Sequence, residues 1–189
     1  MLSPIINKEI KSESMTFGKH KITLKCLKQV KGHDDSLPFT AKLYVNNKVC
    51  CECYNDGWGG SAMLTIINEE LFKVIDEEVT KYDLSYNNKV FGKYTLSDVA
   101  DELACIIVDN KKIWKTIREN EFYNLIFSNE ISIIQRHWIN RITKFKIPIH
   151  VLLKNESMVN TLSKVIKEMA DKGYKLLNTN VPNEMILKV

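Results

Sequence analysis

Residues 39–66 read FTAKLYVNNKVCCECYNDGWGGSAMLTI, and their alternation decides the fold class. Phe39, Ala41, Leu43 and Val45 alternate with Thr40, Lys42, Tyr44 and Asn46, the period-two pattern of a strand with one wet face. Asn46-Asn47 follows, and asparagine tolerates the left-handed backbone of a tight hairpin turn. Val49, Cys51 and Cys53 alternate with Cys50, Glu52 and Tyr54 on the return strand, which puts Cys50 and Cys51 on opposite faces. Ala62 to Ile66 is a third apolar run, so the stretch predicts an antiparallel meander.

Its second turn, Asn55-Asp56-Gly57-Trp58-Gly59-Gly60, is the most specific signal in the chain. Three glycines can take positive φ there without steric cost. One reading is a glycine-rich hairpin loop whose Trp58 folds back over the sheet edge. The other is a site formed by Asp56, Gly57, Trp58, Gly59 and Gly60, either as an anion-binding nest or with Trp58 as a partner anchor. A dinucleotide fingerprint needs GxGxxG between strand and helix, and a Walker loop needs a following Lys. Gly57-Trp58-Gly59-Gly60-Ser61 leads into another strand and has no such Lys, which argues against nucleotide phosphate.

A chain of 189 residues can bury a sizeable core, and its 44% hydrophobic and 26% charged residues are ordinary globular values. The 27 basic and 23 acidic residues leave a net charge of +4, too small and scattered to be a nucleic-acid footprint by itself. No apolar run reaches membrane-spanning length, and the first residues lack the pattern of a secretory signal. Cys26, Cys50, Cys51, Cys53 and Cys105 fit neither a disulfide framework nor zinc-ligand spacing, and His20, His33, His137 and His150 are scattered. The expectation is no metal, no cofactor, no membrane partner and a cytoplasmic setting.

Residues 1–18 read as a loosely held arm and 19–189 as a single α+β domain. Ile22, Leu24 and Cys26 alternate with lysines, giving a first strand whose Lys21, Lys25 and Lys28 either guard a sheet edge or meet phosphates. Residues 32–36 read as a loop. Asn68 caps a helix running to about Tyr82, 83–93 reads as a loop, and Thr95 or Ser97 caps a second helix to Val108. Asp109 or Asn110 interrupts it before a further helical stretch to Glu119. Asp98, Asp101 and Glu102 read as first-turn capping and solvation rather than a carboxylate pair. A second hairpin is expected over 125–134. The following Arg136, His137, Trp138, Arg141, Lys144 and Lys146 combine cations with an aromatic, as backbone contact and base stacking require. Residues 148–154 suit either a helical turn or a strand. Met158, Val159, Leu162, Val165, Ile166 and Met169 form the apolar stripe of a helix over 156–172, closed by Gly173. The fold class is therefore α+β: a small antiparallel sheet packed against helices, a later hairpin and a C-terminal amphipathic helix.

Leu43-Tyr44-Val45-Asn46-Asn47-Lys48 with Asn55-Asp56-Gly57-Trp58-Gly59-Gly60, and Leu176-Leu177-Asn178-Thr179-Asn180-Val181-Pro182, resemble an uncharacterised family of small proteins of bacteria and their phages. The shared features are a strand–NDGxGG turn and a closing LNTN-hydrophobic-Pro segment. The resemblance implies a setting rather than a mechanism, and the abundance of Asn, Lys and Ile suits an AT-rich phage or mobile element. Asn178, Thr179 and Asn180 bond backbone readily. They are expected either to lock onto the 55–61 loop as a structural joint or to build a polar pocket with it.

Neither motif holds a nucleophile–base pair, so the sequence leans away from an enzyme. It favours a non-enzymatic binding protein, a phage- or element-encoded modulator acting on a host protein in the host cytoplasm. Its alternative is nucleic-acid binding through Lys21, Lys25, Lys28, Arg136, Trp138 and Arg141, expected to be weak at +4, so that neutralising Arg136 and Arg141 does little. A third reading is an enzyme or small-ligand binder with a pocket near Asp56, Asn178 and Asn180.

Overall fold

The computed structural model describes residues 11–30, 37–86, 89–129, 132–182 and 184–185. The loop expected at 32–36, the first part of the expected arm and the Asn87-Asn88 turn lie outside the described residues. The fold is α+β. Ser12–Asp109 forms one compact unit, and a second is built from Asn110 onward.

The first unit carries β1 (Ser14–Phe17), β2 (His20–Gln29), β3 (Phe39–Val45), β4 (Lys48–Asn55) and β5 (Met63–Ile66), in antiparallel order β1-β2-β3-β4-β5. The arm thus gives way to a sheet strand at Ser14. β1 pairs only with His20–Thr23 of β2, so Lys21 lies between two strands, while Lys25 and Lys28 lie beyond that pairing, where the edge-guarding reading still applies. Asn46 and Asn47 take φ of 47° and 66°, the paired left-handed geometry that a two-residue hairpin requires. Asn46 also bonds Lys21 in both directions: its N–H donates to the Lys21 carbonyl at 2.8 Å, and its Oδ1 accepts the Lys21 N–H at 2.9 Å.

Strand β4 departs from simple alternation. Leu43 faces Cys51 and Tyr44 faces Val49, so Cys50 is an extra residue in a β-bulge. Cys50 and Cys51, expected on opposite faces, are both fully buried. One face of the sheet packs Ile22, Leu43 and Val45 against Ile75 and Val79 of α1 (Glu69–Val79) and against Val99 and Leu103 of α2 (Leu96–Asn120). Asn68 caps α1 by accepting the Leu71 N–H. Residues 83–93 are not a loop: β6 (Asp83–Tyr86) and β7 (Lys89–Lys93) pair as a two-stranded ribbon, with Phe91 extra between Ser85↔Val90 and Leu84↔Gly92.

Helix α2 is continuous through Asp109 and Asn110, where an interruption was expected. Its start is a reciprocal cap. The Thr95 N–H and hydroxyl donate to Asp98 Oδ2 at 2.9 and 2.6 Å, and the Asp98 N–H donates to the Thr95 hydroxyl at 3.2 Å.

In the second unit, β8 (Asn124–Ser128) is the centre of a sheet ordered β10-β8-β9, with β9 at Ile133–His137 and β10 at Lys175–Leu176. Every residue of β8 is buried, so both of its faces are covered. Leu125 and Phe127 enter a core with α3 (Ile149–Leu152) and α4 (Glu156–Asp171), while Ile126 meets Ile117 and Leu177 on the other face. The 148–154 ambiguity resolves as helix. Helix α4 buries Leu162, Ile166 and Met169, and its end closes when Gly173 takes φ 79° and the Tyr174 N–H reaches the Met169 carbonyl at 2.9 Å.

The cap on α2 makes a direct prediction. Thr95→Ala removes the reciprocal bonds and should lower unfolding free energy by about 1 kcal/mol in urea titrations. An unchanged midpoint would show that the cap contributes nothing to α2.

Candidate functional site

The 55–62 turn is held from within and from α2. Asn55, only 8% exposed, uses its whole amide: Oδ1 accepts the Gly57 N–H at 2.8 Å, while Nδ2 donates to the Gly60 carbonyl at 3.1 Å and to Asp101 Oδ1 at 2.8 Å. Asp101 Oδ2 accepts the Ala62 N–H at 2.9 Å, so one carboxylate grips both ends of the turn. Asp56 Oδ1 accepts the Trp58 N–H at 3.0 Å. Gly57 and Gly59 take φ of 83° and 84°, and Gly60 does not share that conformation. Between these fixed points Trp58 is 68% exposed.

Asp101 is the residue that sequence reasoning missed. Read as solvation on the first turns of a helix, it is a tether whose partners lie 46 and 39 residues away in the chain. Its neighbour Glu102 accepts the Tyr94 hydroxyl at 2.9 Å; burial first, and then that bond, push the Tyr94 phenol up to about 12.

The amides of Asn178 and Asn180, expected to bond the 55–61 loop, are spent on residues 121–126 of their own unit and on each other. Asn178 is fully buried: its Oδ1 accepts the Ile126 N–H at 2.6 Å, and its Nδ2 donates to the Asn124 carbonyl at 2.8 Å and to Asn180 Oδ1 at 3.0 Å. Asn180 Nδ2 donates to the Glu121 carbonyl at 2.7 Å, and the Thr179 N–H and hydroxyl both reach Glu121 Oε2. The LNTN segment is thus a clamp on residues 121–126, where chain leaving α2 enters β8. The physical reason is valence: Asn178 spends its amide on backbone that β10, only two residues long, cannot satisfy.

A groove of about 290 Å³ lies on the outer face of the first sheet, lined by Cys26, Lys28, Thr40, Lys42, Glu52 and Tyr54 among others. Lys42 pairs with Glu52 at 3.2 Å there, and the Lys25 ammonium sits 4.5 Å from the Tyr44 ring centroid. Lys21, Lys25 and Lys28 are all exposed. Of the second basic set, Arg136 and Arg141 are exposed, but Trp138 packs against the core of its unit. The exposed aromatic in that stretch is Phe145.

All five cysteines are thiols. A bond with Cys51, then burial, pushes the Cys50 thiol up. The bond from Cys50 draws Cys51 down, but its bond with Cys53 and burial outweigh this and push it up to about 12. Both are protonated at neutral pH, which removes the thiolate needed for nucleophilic attack. Among the described residues, no group of three or more His, Cys, Asp or Glu side chains is placed to hold a metal ion. No helix among them is long and apolar enough to cross a membrane. No family profile, curated protein or solved structure matches the chain.

The two motifs predict separate responses. Gly59→Ala meets no atom within 4 Å yet forces a side chain into φ +84°, so it should destabilise by about 1 kcal/mol, whereas Gly60→Ala should be close to neutral. Equal effects in thermal melts would refute the backbone argument. Asn178→Ala should cost about 1–3 kcal/mol by orphaning the buried Ile126 N–H, and a loss below that range would mean the clamp is dispensable.

Proposed function

We propose that the protein is a non-enzymatic binding protein that captures a macromolecular partner, foremost another protein, through the Trp58 turn. The observation that carries this reading is a large aromatic side chain, 68% exposed, at the tip of a turn fixed by Asn55, Asp56 and Asp101. Aromatic anchors of this kind dominate many protein interfaces, and a turn ordered before binding spares the partner the entropy of ordering it. The resemblance to bacterial and phage proteins supports a partner in a bacterial host, with this chain as its modulator.

A nucleic-acid role through Lys21, Lys25 and Lys28 gains less support. Lys25 is already engaged over Tyr44, and Glu52 stands among the cations on the same sheet face.

The test is capture from bacterial lysate on immobilised protein, comparing the natural chain with Trp58→Ala. The variant should keep its circular dichroism spectrum and melting temperature and lose at least about tenfold in affinity for the captured protein, a loss typical of anchor residues. Identical capture by both proteins would remove Trp58 from the interface and with it this reading.

A further inference from the structure

Ile142 and Phe145 are the two most exposed large apolar side chains among the described residues, at 91% and 76%. They sit on a small finger of the second unit. At its base the Ile147 N–H donates to the Trp138 carbonyl at 2.8 Å and Ile139 bridges Lys146, while Trp138 and Ile147 pack into the core. At its tip Asn140 organises the turn. Its Oδ1 accepts the N–H groups of Ile142 and Thr143 at 2.9 and 3.0 Å, and its own N–H donates to the Phe145 carbonyl at 2.9 Å. Lys144 takes φ 62° to bring the chain back. The finger is therefore a built projection.

Its charge is one-sided. Residues 132–155 contain Arg136, Arg141, Lys144, Lys146 and Lys154 and no Asp or Glu. The carboxyl of Glu168 on α4 is held low by Lys172 foremost and by the charge of Arg136 as well. Arg141, Lys144 and Lys146 make no ion pair among the described residues. Arg141 directly precedes Ile142, Lys144 directly precedes Phe145, and Lys146 follows it. A groove about 6 Å wide between two phosphate rows accepts the apolar wedge and its cations together.

We propose that this finger is a contact for duplex DNA, with Ile142 and Phe145 wedging between base steps from the minor groove and Arg141, Lys144 and Lys146 meeting the flanking phosphates. This goes beyond the Trp58 reading, since it concerns the other unit and another class of partner. It also reverses the sequence-based expectation that arginine in this stretch contributes little.

The experiment uses the full chain and an end-labelled duplex with 2-aminopurine at a central TA step, a step that unstacks readily. Binding read by anisotropy should weaken about 40-fold between 50 and 200 mM salt if three phosphates are contacted, and 2-aminopurine emission should rise on binding. Ile142→Ser with Phe145→Ser should abolish the emission rise while retaining salt-sensitive binding. Arg141→Gln, Lys144→Gln and Lys146→Gln together should flatten the salt dependence, and circular dichroism checks that both variants fold. The proposal is overturned by no duplex binding at about 10⁻⁴ M protein, the weak end of non-specific affinity. It is equally overturned by unchanged emission on binding, by tighter binding to the single strand, or by capture on phosphatidylserine vesicles without duplex binding.

Discussion

Backbone N–H groups at helix starts, tight turns and strand ends have no partner in the regular ladder, and in this chain asparagine amides repeatedly supply the acceptor. Asn55 accepts from Gly57, Asn68 from Leu71, Asn129 from Ser132, Asn140 from Ile142, Asn155 from Met158 and Asn178 from Ile126. Some are helix caps, some are tight turns, and Asn178 extends a ladder that β10 leaves short. The irregular joints between elements therefore have defined conformations. Both candidate contact surfaces, the Trp58 turn and the 140–145 finger, rest on such an amide.

This constraint also explains which features could be read from the sequence. Local bonds leave local signatures: Asn68 before apolar periodicity, Asn46-Asn47 between alternating strands, and Gly173 after α4 were all legible. So was the α+β class, because alternation over 39–54 and the stripe over 158–169 are strong periodic signals. Bonds between distant residues leave none. Asp101 looked like an ordinary helix-surface carboxylate because its partners, Asn55 and Ala62, become neighbours only once the sheet and α2 have packed. Asn178 was singled out correctly as a backbone partner but given the wrong backbone.

Irregular strands were the other blind spot. A single extra residue cancels the period-two signal, and bulges occur at Cys50, between Lys25 and Lys28, and at Phe91. Hence Cys50 was placed on the wrong face and the β6–β7 ribbon was read as a loop. Exposure was likewise beyond the sequence: Trp138 and Phe145 look equally available in a list of basic and aromatic residues. Only the packing of Trp138 into the core separates them.

The Trp58 turn is ordered in the free protein, fixed by Asn55, Asp56 and Asp101. Backbone ¹⁵N relaxation of the isolated chain tests this most directly. Order parameters for Gly57, Trp58, Gly59 and Gly60 are expected at about 0.85, as in rigid backbone, with the Trp58 indole reached by a paramagnetic solvent probe. Values below about 0.6 across the turn, or an indole shielded from the probe, would contradict it.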